Sequence, residues 1–264
     1  MLKVRVIPTL LWKDVGLVKG IGFDSWRRVG TVMPAVKVYN TRQVDELILL
    51  DITATLGQRN PDYEAISDIA AECFVPLTFG GGIRNLEIIR NLLRAGADKV
   101  SINTASYLQP ELIYEAADRF GSQCVVASID AKRTKDGHYE CHSHCGSRPT
   151  GKETVAWATE LEKLGAGEIL LTSIERDGTM KGYDLELIRS VSQAVRIPVI
   201  ASGGGGDYGH MAEAIKTGGA SAVAAASIFH FTEQTPLEAK DFLGQHGIPV
   251  RNFHARPFPQ PPVD

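Results

Sequence analysis

The sequence has 264 residues, of which 44% are hydrophobic and 22% are charged, a composition that is typical of a folded globular protein. The net charge of −3 argues against nucleic acid as the main partner, and no apolar run approaches the roughly 18 residues that a membrane span needs. We expect no signal peptide, because Met1 leads directly into a strand-like segment. Four cysteines are too few for a disulfide framework in this chain, so we expect a cytoplasmic protein.

Short apolar segments alternate with amphipathic helical patterns along the chain. We predict strands over 4–11, 46–52, 76–83, 97–103, 123–130, 168–173, 198–205 and 220–226. We predict helices over 34–40, 63–73, 86–95, 110–120, 155–164, 185–194, 210–217 and 236–246. Near-continuous apolar strands that alternate with helices indicate a parallel sheet covered on both faces. Eight such units predict an α/β fold, a closed (β/α)8 TIM barrel.

Three further segments complete this prediction. We interpret 13–19 as a turn-rich connection and the polar segment 133–150 as a hairpin insertion. One barrel domain is expected to cover 1–251. The segment 252–264 is rich in proline, which predicts an extended, poorly ordered tail.

The two halves of the chain resemble each other. The segment DELIL at 45–49 matches GEILL at 167–171, and Gly81-Gly82 falls over Gly203-Gly204 at the same offset. The segment AGADKV at 95–100 similarly resembles GGASAV at 218–223. We infer an internal half-barrel repeat.

Each half contains a run of glycines between a predicted strand and a predicted helix. Successive glycines allow backbone N–H groups to approach a ligand closely, as phosphate binding requires, although a tight strand-to-helix turn is the alternative. Because the feature occurs twice, we predict two phosphate sites and a ligand with a phosphate at each end. The predicted phosphate-binding residues are Gly82, Asn103 and Thr104 in the first half and Gly203, Gly204, Ala226 and Ser227 in the second.

Four ionisable residues are predicted near the C-terminal ends of the strands, where barrel enzymes place their catalytic groups. They are Lys19, Asp51, Asp130 and Asp177. Asp130 ends an otherwise apolar strand, so we expect burial to raise its pKa towards the range that suits a general acid. The alternative for each aspartate is a helix cap or a turn.

At the opposite ends of the strands the sequence places Arg5, Glu46, Lys99 and Glu168. Two acids and two bases at equivalent depth are compatible with a ring of paired charges across the barrel floor. Spacing alone favours the alternative, four solvated strand ends.

Several cysteine and histidine residues lie within the predicted hairpin. Strand alternation would place Cys141 and Cys145 on one face and His142 and His144 on the other. This arrangement suits one tetrahedral zinc ion poorly, so we predict no metal and no other cofactor.

Long segments of the sequence resemble the HisF family, the synthase (cyclase) subunit of imidazole glycerol phosphate synthase. They are PLTFGGGIRN, LLRAGADKVSIN, DRFGSQCVVASIDAKR, LGAGEILLTSIERDGTMKGYDLELI, PVIASGGGG and ASIFHF, and the resemblance runs from about Val4 to Arg251. It implies a TIM barrel with two phosphate sites. It also implies a lyase-type synthase that receives ammonia from a glutamine amidotransferase, HisH, in a heterodimer. The products would be imidazole glycerol phosphate and an aminoimidazole carboxamide ribotide of histidine biosynthesis.

The resemblance also assigns roles to individual residues. It matches Arg5, Glu46, Lys99 and Glu168 to a charged gate for ammonia on the partner-facing floor, against the solvated alternative. It matches Lys19, Asp51, Asp130 and Asp177 to active-site positions and Asp98 to the partner interface.

One position departs from the family. The first strand of the family ends in an aspartate that acts in acid–base catalysis, whereas this chain reads IPTLLW with Leu11 at that place. Leu11 also falls over Asp130 in the half-barrel repeat. Since leucine transfers no proton, we expect a loss of about 100- to 10,000-fold in turnover of the family substrate.

Two other functions therefore stay open. The segments LLWKDVGLVKG and AVKVYN resemble a HisF-like paralogue group that is linked to acetamidino modification of surface sugars and passes ammonia to another acceptor. A non-catalytic barrel that docks and activates an amidotransferase is the third candidate. The related isomerase HisA is disfavoured, because the charged gate would then have no purpose.

Overall fold

Twelve strands are found in the computed structural model, which describes residues 3–14 and 16–251. In chain order they are β1 (Arg5–Lys13), β2 (Gly16–Ile21), β3 (Asp24–Gly30), β4 (Leu47–Asp51), β5 (Leu77–Gly80), β6 (Lys99–Ile102), β7 (Val125–Arg133), β8 (Tyr139–Ser143), β9 (Arg148–Glu153), β10 (Glu168–Ser173), β11 (Val199–Ser202) and β12 (Ala222–Ala225). Eight of them, β1, β4, β5, β6, β7, β10, β11 and β12, pair in parallel in that order, and β12 pairs with β1. The predicted (β/α)8 TIM barrel is therefore confirmed.

Helices surround this barrel. Those in the described residues are α1 (Val32–Thr41), α2 (Tyr63–Ala71), α3 (Leu86–Arg94), α4 (Thr104–Leu108), α5 (Glu111–Phe120), α6 (Thr154–Lys163), α7 (Leu185–Ala194), α8 (Tyr208–Lys216), α9 (Ser227–Phe231) and α10 (Pro236–Gln245). Several begin where a side chain accepts a hydrogen bond from the first helical turn, as Asp62, Asn85, Asp184 and Asp207 do. No helix in the described part of the chain is both long and apolar enough to cross a membrane.

The core has two layers, because successive strand residues point to opposite sides of the sheet. One layer lies between the strands and the helices. The other fills the barrel interior and contains Ile7, Ile48, Val126, Leu170 and Ile200, each at most 1% exposed.

The prediction of a turn-rich connection over 13–19 is wrong. Strands β2 and β3 form a hairpin whose first strand pairs antiparallel with the end of β1. Gly16 and Gly20 permit close approach between neighbouring strands, and Gly22 adopts a positive φ angle of 59° in the turn. A Cβ atom on Gly20 would lie 2.0 Å from the carbonyl oxygen of Asp24. The short helices α4 and α9 were also not predicted.

The hairpin predicted over 133–150 is confirmed, because β8 pairs antiparallel with β7 and β9 pairs with β8. Each half of the barrel thus carries a hairpin after its first strand. The predicted tail at 252–264 lies outside the described residues.

Strand register supports the internal repeat at the level of single residues. Leu11 pairs with Leu50 of the next barrel strand, and Asp130 pairs with Thr172. Leu50 and Thr172 are separated along the chain by the same number of residues as Glu46 and Glu168. Leu11 and Asp130 therefore occupy equivalent positions in the two half-barrels, as predicted.

Candidate functional site

A single cavity lies at the C-terminal ends of the barrel strands. It is lined by all eleven residues that the sequence placed at this end: Lys19, Asp51, Gly82, Asn103, Thr104, Asp130, Asp177, Gly203, Gly204, Ala226 and Ser227. This clustering follows from the fold, since parallel strands end on the same side of the barrel.

The first glycine turn forms one end of the cavity. Gly81 and Gly82 have positive φ angles of 108° and 70°, and a Cβ atom on Gly81 would lie 2.2 Å from the backbone oxygen of Asp51. Next to this turn, after the neighbouring strand β6, α4 begins at Thr104, directly after Asn103, and no side chain caps its first turn. Backbone N–H groups are therefore available for an anion at this end.

The second glycine turn repeats this arrangement at the other end. Gly203 and Gly204 have positive φ angles of 88° and 106°. Helix α9 begins at Ser227 without a side-chain cap, and the buried Ser227 hydroxyl has no hydrogen-bond partner among the described residues. A buried hydroxyl without a partner is costly, which is understandable if a ligand oxygen normally completes its hydrogen bonding.

Two of the three cavity carboxylates form ion pairs. Asp177 accepts hydrogen bonds of 2.7 and 2.8 Å from the buried Nζ of Lys19. Asp51 lies 2.7 Å from Nη2 of Arg59 and accepts backbone hydrogen bonds from Thr53 and Ala54. The backbone contacts of Asp51 support the structural alternative for this residue, a cap on the turn after β4.

Asp130 differs from these two because it forms no ion pair within the described chain. Its Oδ2 accepts a hydrogen bond of 3.1 Å from Nδ2 of Asn103. Burial raises the pKa of Asp130 to about 7, and the negative charge of nearby Asp177 adds to the shift. A carboxyl with a pKa near neutrality can both give and take a proton, which is what general acid–base catalysis requires.

Leu11 lines the same cavity at the position equivalent to Asp130. Its side chain is 9% exposed and its register neighbour Leu50 is also apolar. The first half-barrel therefore presents an alkyl surface where the second presents a carboxyl group.

The β2–β3 hairpin closes over the mouth of the cavity. The backbone N–H of Gly22 donates a hydrogen bond of 2.9 Å to the carbonyl of Asp177, and the Phe23 ring lies against Gly146 in the β8–β9 turn. Phe23 and Trp26 line the cavity, yet the sequence prediction included only Lys19 from this hairpin. The signal was the apolar run at 17–18, which the surrounding glycines obscured.

His230 on α9 is a second residue that the prediction missed. Burial and the positive charge of Lys19 lower the pKa of His230 to about 4. The imidazole, which does not line the cavity, is thus neutral at physiological pH.

The opposite end of the barrel is closed by a ring of four charged side chains, which we call the floor ring: Arg5, Glu46, Lys99 and Glu168. Arg5 Nη1 lies 2.8 Å from Oε1 of Glu46 and 2.9 Å from Oε1 of Glu168. Lys99 Nζ lies 2.8 Å from Glu46 and 3.2 Å from Glu168. Each acid therefore contacts both bases, and the solvated alternative for these four residues is wrong.

The opposite charges of the floor ring stabilise one another. Burial alone would lower the pKa of Arg5, but Glu46 and Glu168 outweigh that effect and raise it. Next to the ring, exposed Asp98 accepts a backbone hydrogen bond of 2.8 Å from Leu77.

The cysteines and histidines of the second hairpin do not follow simple alternation, and that prediction is wrong beyond Ser143. His144 and Cys145 have positive φ angles and leave the strand. The Cys141 thiol is buried beside Thr154, whereas the Cys145 thiol donates to the carbonyl of Ile52 and lines the cavity. Among residues 3–14 and 16–251, no group of three or more potential ligands is placed to hold a metal ion.

Fold and site together define a class: a (β/α)8 barrel whose cavity is lined by one glycine turn from each half of the chain. The family model described as histidine biosynthesis protein matches residues 5–235. The chain therefore belongs to the histidine biosynthesis protein family, which includes the HisF and HisA barrels.

Proposed function

We propose that this chain is a HisF-like synthase (cyclase) subunit that forms a heterodimer with a HisH-like glutamine amidotransferase. In this proposal it uses glutamine-derived ammonia to form imidazole glycerol phosphate and aminoimidazole carboxamide ribotide in the cytoplasm. The observation that carries the proposal is the floor ring, which lies at the opposite end of the barrel from the cavity.

The floor ring argues for passage of a small molecule. Partly buried charges are costly unless they are paired, and hydrophobic side chains would close a barrel floor at lower cost. Paired charges, in contrast, can separate and re-form around a small neutral molecule such as ammonia. Oε2 of Glu46 has no hydrogen-bond partner in the described part of the chain, so one acceptor remains available at the ring.

The barrel interior suits such a passage. Above the floor ring the lining is apolar at Ile7 and Ile48, with the small buried hydroxyls of Thr78 and Ser101 on neighbouring strands. Neutral ammonia would meet these uncharged side chains between the floor ring and the cavity.

The cavity supplies the remaining chemistry of the proposal. The glycine turns and the first N–H groups of α4 and α9 would hold the two phosphates of the substrate. Ammonia would arrive beneath the substrate as the nucleophile, and Asp130 would transfer protons during cyclisation. Lys19, paired with Asp177, would hold the hairpin closed and exclude water from the reaction.

A second candidate is favoured by Leu11. A HisF-like paralogue that supplies ammonia for acetamidino modification of surface sugars would need the floor ring but only one of the two equivalent carboxyl positions. Leu11 removes a proton-transfer group from the cavity while leaving both glycine turns in place, which is compatible with a different acceptor.

The test is glutamine-dependent turnover by the purified complex with the HisH-like amidotransferase of the same organism. The proposal predicts imidazole glycerol phosphate from the bis-phosphate ribulosyl-formimino substrate of the family, and anions at both glycine turns in a phosphate-soaked crystal. A stable complex that consumes glutamine but leaves this substrate unchanged would favour the sugar acceptor. Anions at neither turn would contradict the cavity assignment.

A further inference from the structure

The first barrel strand passes from the apolar interior of the barrel into the cavity at Thr9. In β1, Ile7 belongs to the apolar interior cluster, whereas Thr9 and Leu11 line the cavity. Since alternate residues of a strand point to the same side of the sheet, all three side chains face the barrel interior. Thr9 is therefore the first polar side chain of this strand above the apolar layer.

The hydroxyl group of Thr9 has no hydrogen-bond partner. Other hydroxyl residues on the barrel strands also line the cavity: Ser101, Ser128, Thr172 and Ser202. Thr9 differs from them because its Oγ1 is buried and also lacks a partner among the described residues. A buried hydroxyl without a partner is unfavourable. Because Thr9 faces the barrel interior, the missing partner would reach it from the cavity or from the passage below.

The neighbours of Thr9 limit what this partner can be. On one side Thr9 pairs in register with Ile48, and on the other side Ala224 of β12 lines the cavity with only a methyl group. A charged ligand atom would be costly in these surroundings. A small neutral molecule with N–H or O–H groups, in contrast, could reach Thr9 and complete its hydrogen bonding.

We infer that Thr9 is the nucleophile-binding residue of this barrel and that its Oγ1 accepts a hydrogen bond from ammonia where the passage opens into the cavity. This inference rests on the proposed function. Ammonia has N–H donors and a single lone pair. A hydroxyl oxygen that accepts one N–H from below leaves the lone pair free to face the acceptor above. Holding the nucleophile in this orientation lowers the entropic cost of its attack.

The experiment measures turnover of the family substrate by the full chain at varied concentrations of an ammonium salt. Thr9→Val removes the hydroxyl but keeps the branched shape. Its kcat/KM for ammonium should fall about three- to tenfold, the equivalent of one hydrogen bond between neutral groups, with an unchanged KM for the bis-phosphate substrate. Thr9→Ser keeps a hydroxyl and should retain most of the activity of the unmodified chain.

The matched control is Thr134→Val in the turn between β7 and β8. The buried Thr134 hydroxyl also lacks a partner in the described chain, but Thr134 does not line the cavity. This control should leave kcat/KM for ammonium unaltered. Neither substitution should lower the free energy of unfolding, because neither removes a hydrogen bond of the folded chain.

The outcomes separate this role from the proposed function. An unchanged kcat/KM for ammonium in Thr9→Val, or a rise only in KM for the bis-phosphate substrate, would overturn the nucleophile-binding role and leave the proposed function intact. An equal loss in Thr9→Val and Thr9→Ser would overturn it as well, since the effect would then come from packing. Absence of ammonium-dependent turnover in both the unmodified chain and Leu11→Asp would overturn the proposed function, and the role of Thr9 with it.

Discussion

The two half-barrels share their framework and differ at the centre of the site. Each half contains a glutamate in the floor ring, a glycine turn, a short helix that begins at the cavity, and a hairpin after its first strand. At the equivalent positions at the ends of those first strands, however, the first half carries Leu11 and the second half Asp130.

The features that the two halves share concern binding, whereas the difference between Leu11 and Asp130 concerns proton transfer. The glycine turns, which we propose bind the ends of a ligand, and the glutamates of the floor ring are present in both halves. The carboxyl group that we propose transfers protons is present in one half only. The site therefore has the features expected for holding a two-ended anionic ligand, but its acid–base capacity depends on Asp130.

The largest expected effect tests that dependence. Asp130→Asn removes the titrating group but keeps its shape, so steady-state turnover with an ammonium salt should fall about 100- to 10,000-fold. Asp62→Asn, the same change at the cap of α2, should leave the rate unaltered because asparagine also caps helices. A rate for Asp130→Asn within threefold of that of the unmodified chain would show that another group performs the proton transfer.

The next effect tests the floor ring. Lys99→Ala removes the cation that contacts both Glu46 and Glu168, so the passage would no longer be regulated by paired charges. Glutamine-dependent turnover in the complex should fall on the order of tenfold relative to ammonium-dependent turnover, a typical coupling between two sites. Lys99→Arg keeps the positive charge and should retain more of the glutamine-dependent turnover. Unaltered glutamine-dependent transfer in Lys99→Ala would disprove the gate.

A smaller effect concerns the second glycine turn. Ser227→Ala removes a hydroxyl that has no partner among the described residues, so the free energy of unfolding should not fall. If the hydroxyl donates to a phosphate, KM should rise about tenfold, the value for a hydrogen bond to a charged group. Exposed Ser221→Ala at the floor end is the control. An unchanged KM would remove Ser227 from the phosphate site.

The last effect concerns stability and not turnover. Because burial raises the pKa of Asp130 to about 7, the folded state holds a proton that the unfolded state releases near pH 4. The free energy of unfolding contributed by this group therefore decreases as pH rises from about 4 to 7. Asp130→Asn should match the unmodified chain below pH 4 and exceed it by up to about 4 kcal/mol at pH 8, the equivalent of roughly three pKa units. Urea titrations at both pH values measure this, and a difference that does not change with pH would contradict it.

Most of the fold was predictable because its signals are local. Buried strands read as apolar runs, and α7 was predicted with the bounds that it has. The β2–β3 hairpin was not predicted, because it depends on contacts between residues far apart in the chain, such as the hydrogen bond from Gly22 to Asp177. The short helices α4 and α9 contain only five residues each, too few for a periodic pattern.

The residues of the site were predictable from the sequence, but the ion pairs and contacts between them were not. The repeat identified the glycine turns and the strand ends, and the fold then placed them around one cavity. Spacing did not reveal that Asp51 pairs with Arg59, that Asp177 pairs with Lys19, or that the four floor charges contact each other. The Lys19–Asp177 pair and the floor ring join residues far apart in the chain, which only the folded barrel brings together, and the Asp51–Arg59 pair depends on the conformation of the loop after β4.

The central claim, that this barrel performs the family reaction with one proton-transfer group in place of two, is tested most directly at Leu11. The measurement is ammonium-driven turnover of the family substrate by the unmodified chain, by Leu11→Asp and by the non-titrating control Leu11→Asn. The account predicts slow turnover by the unmodified chain, a rise of up to about 100- to 10,000-fold in Leu11→Asp, and no rise in Leu11→Asn. Absence of turnover in both the unmodified chain and Leu11→Asp would contradict it and favour a different ammonia acceptor.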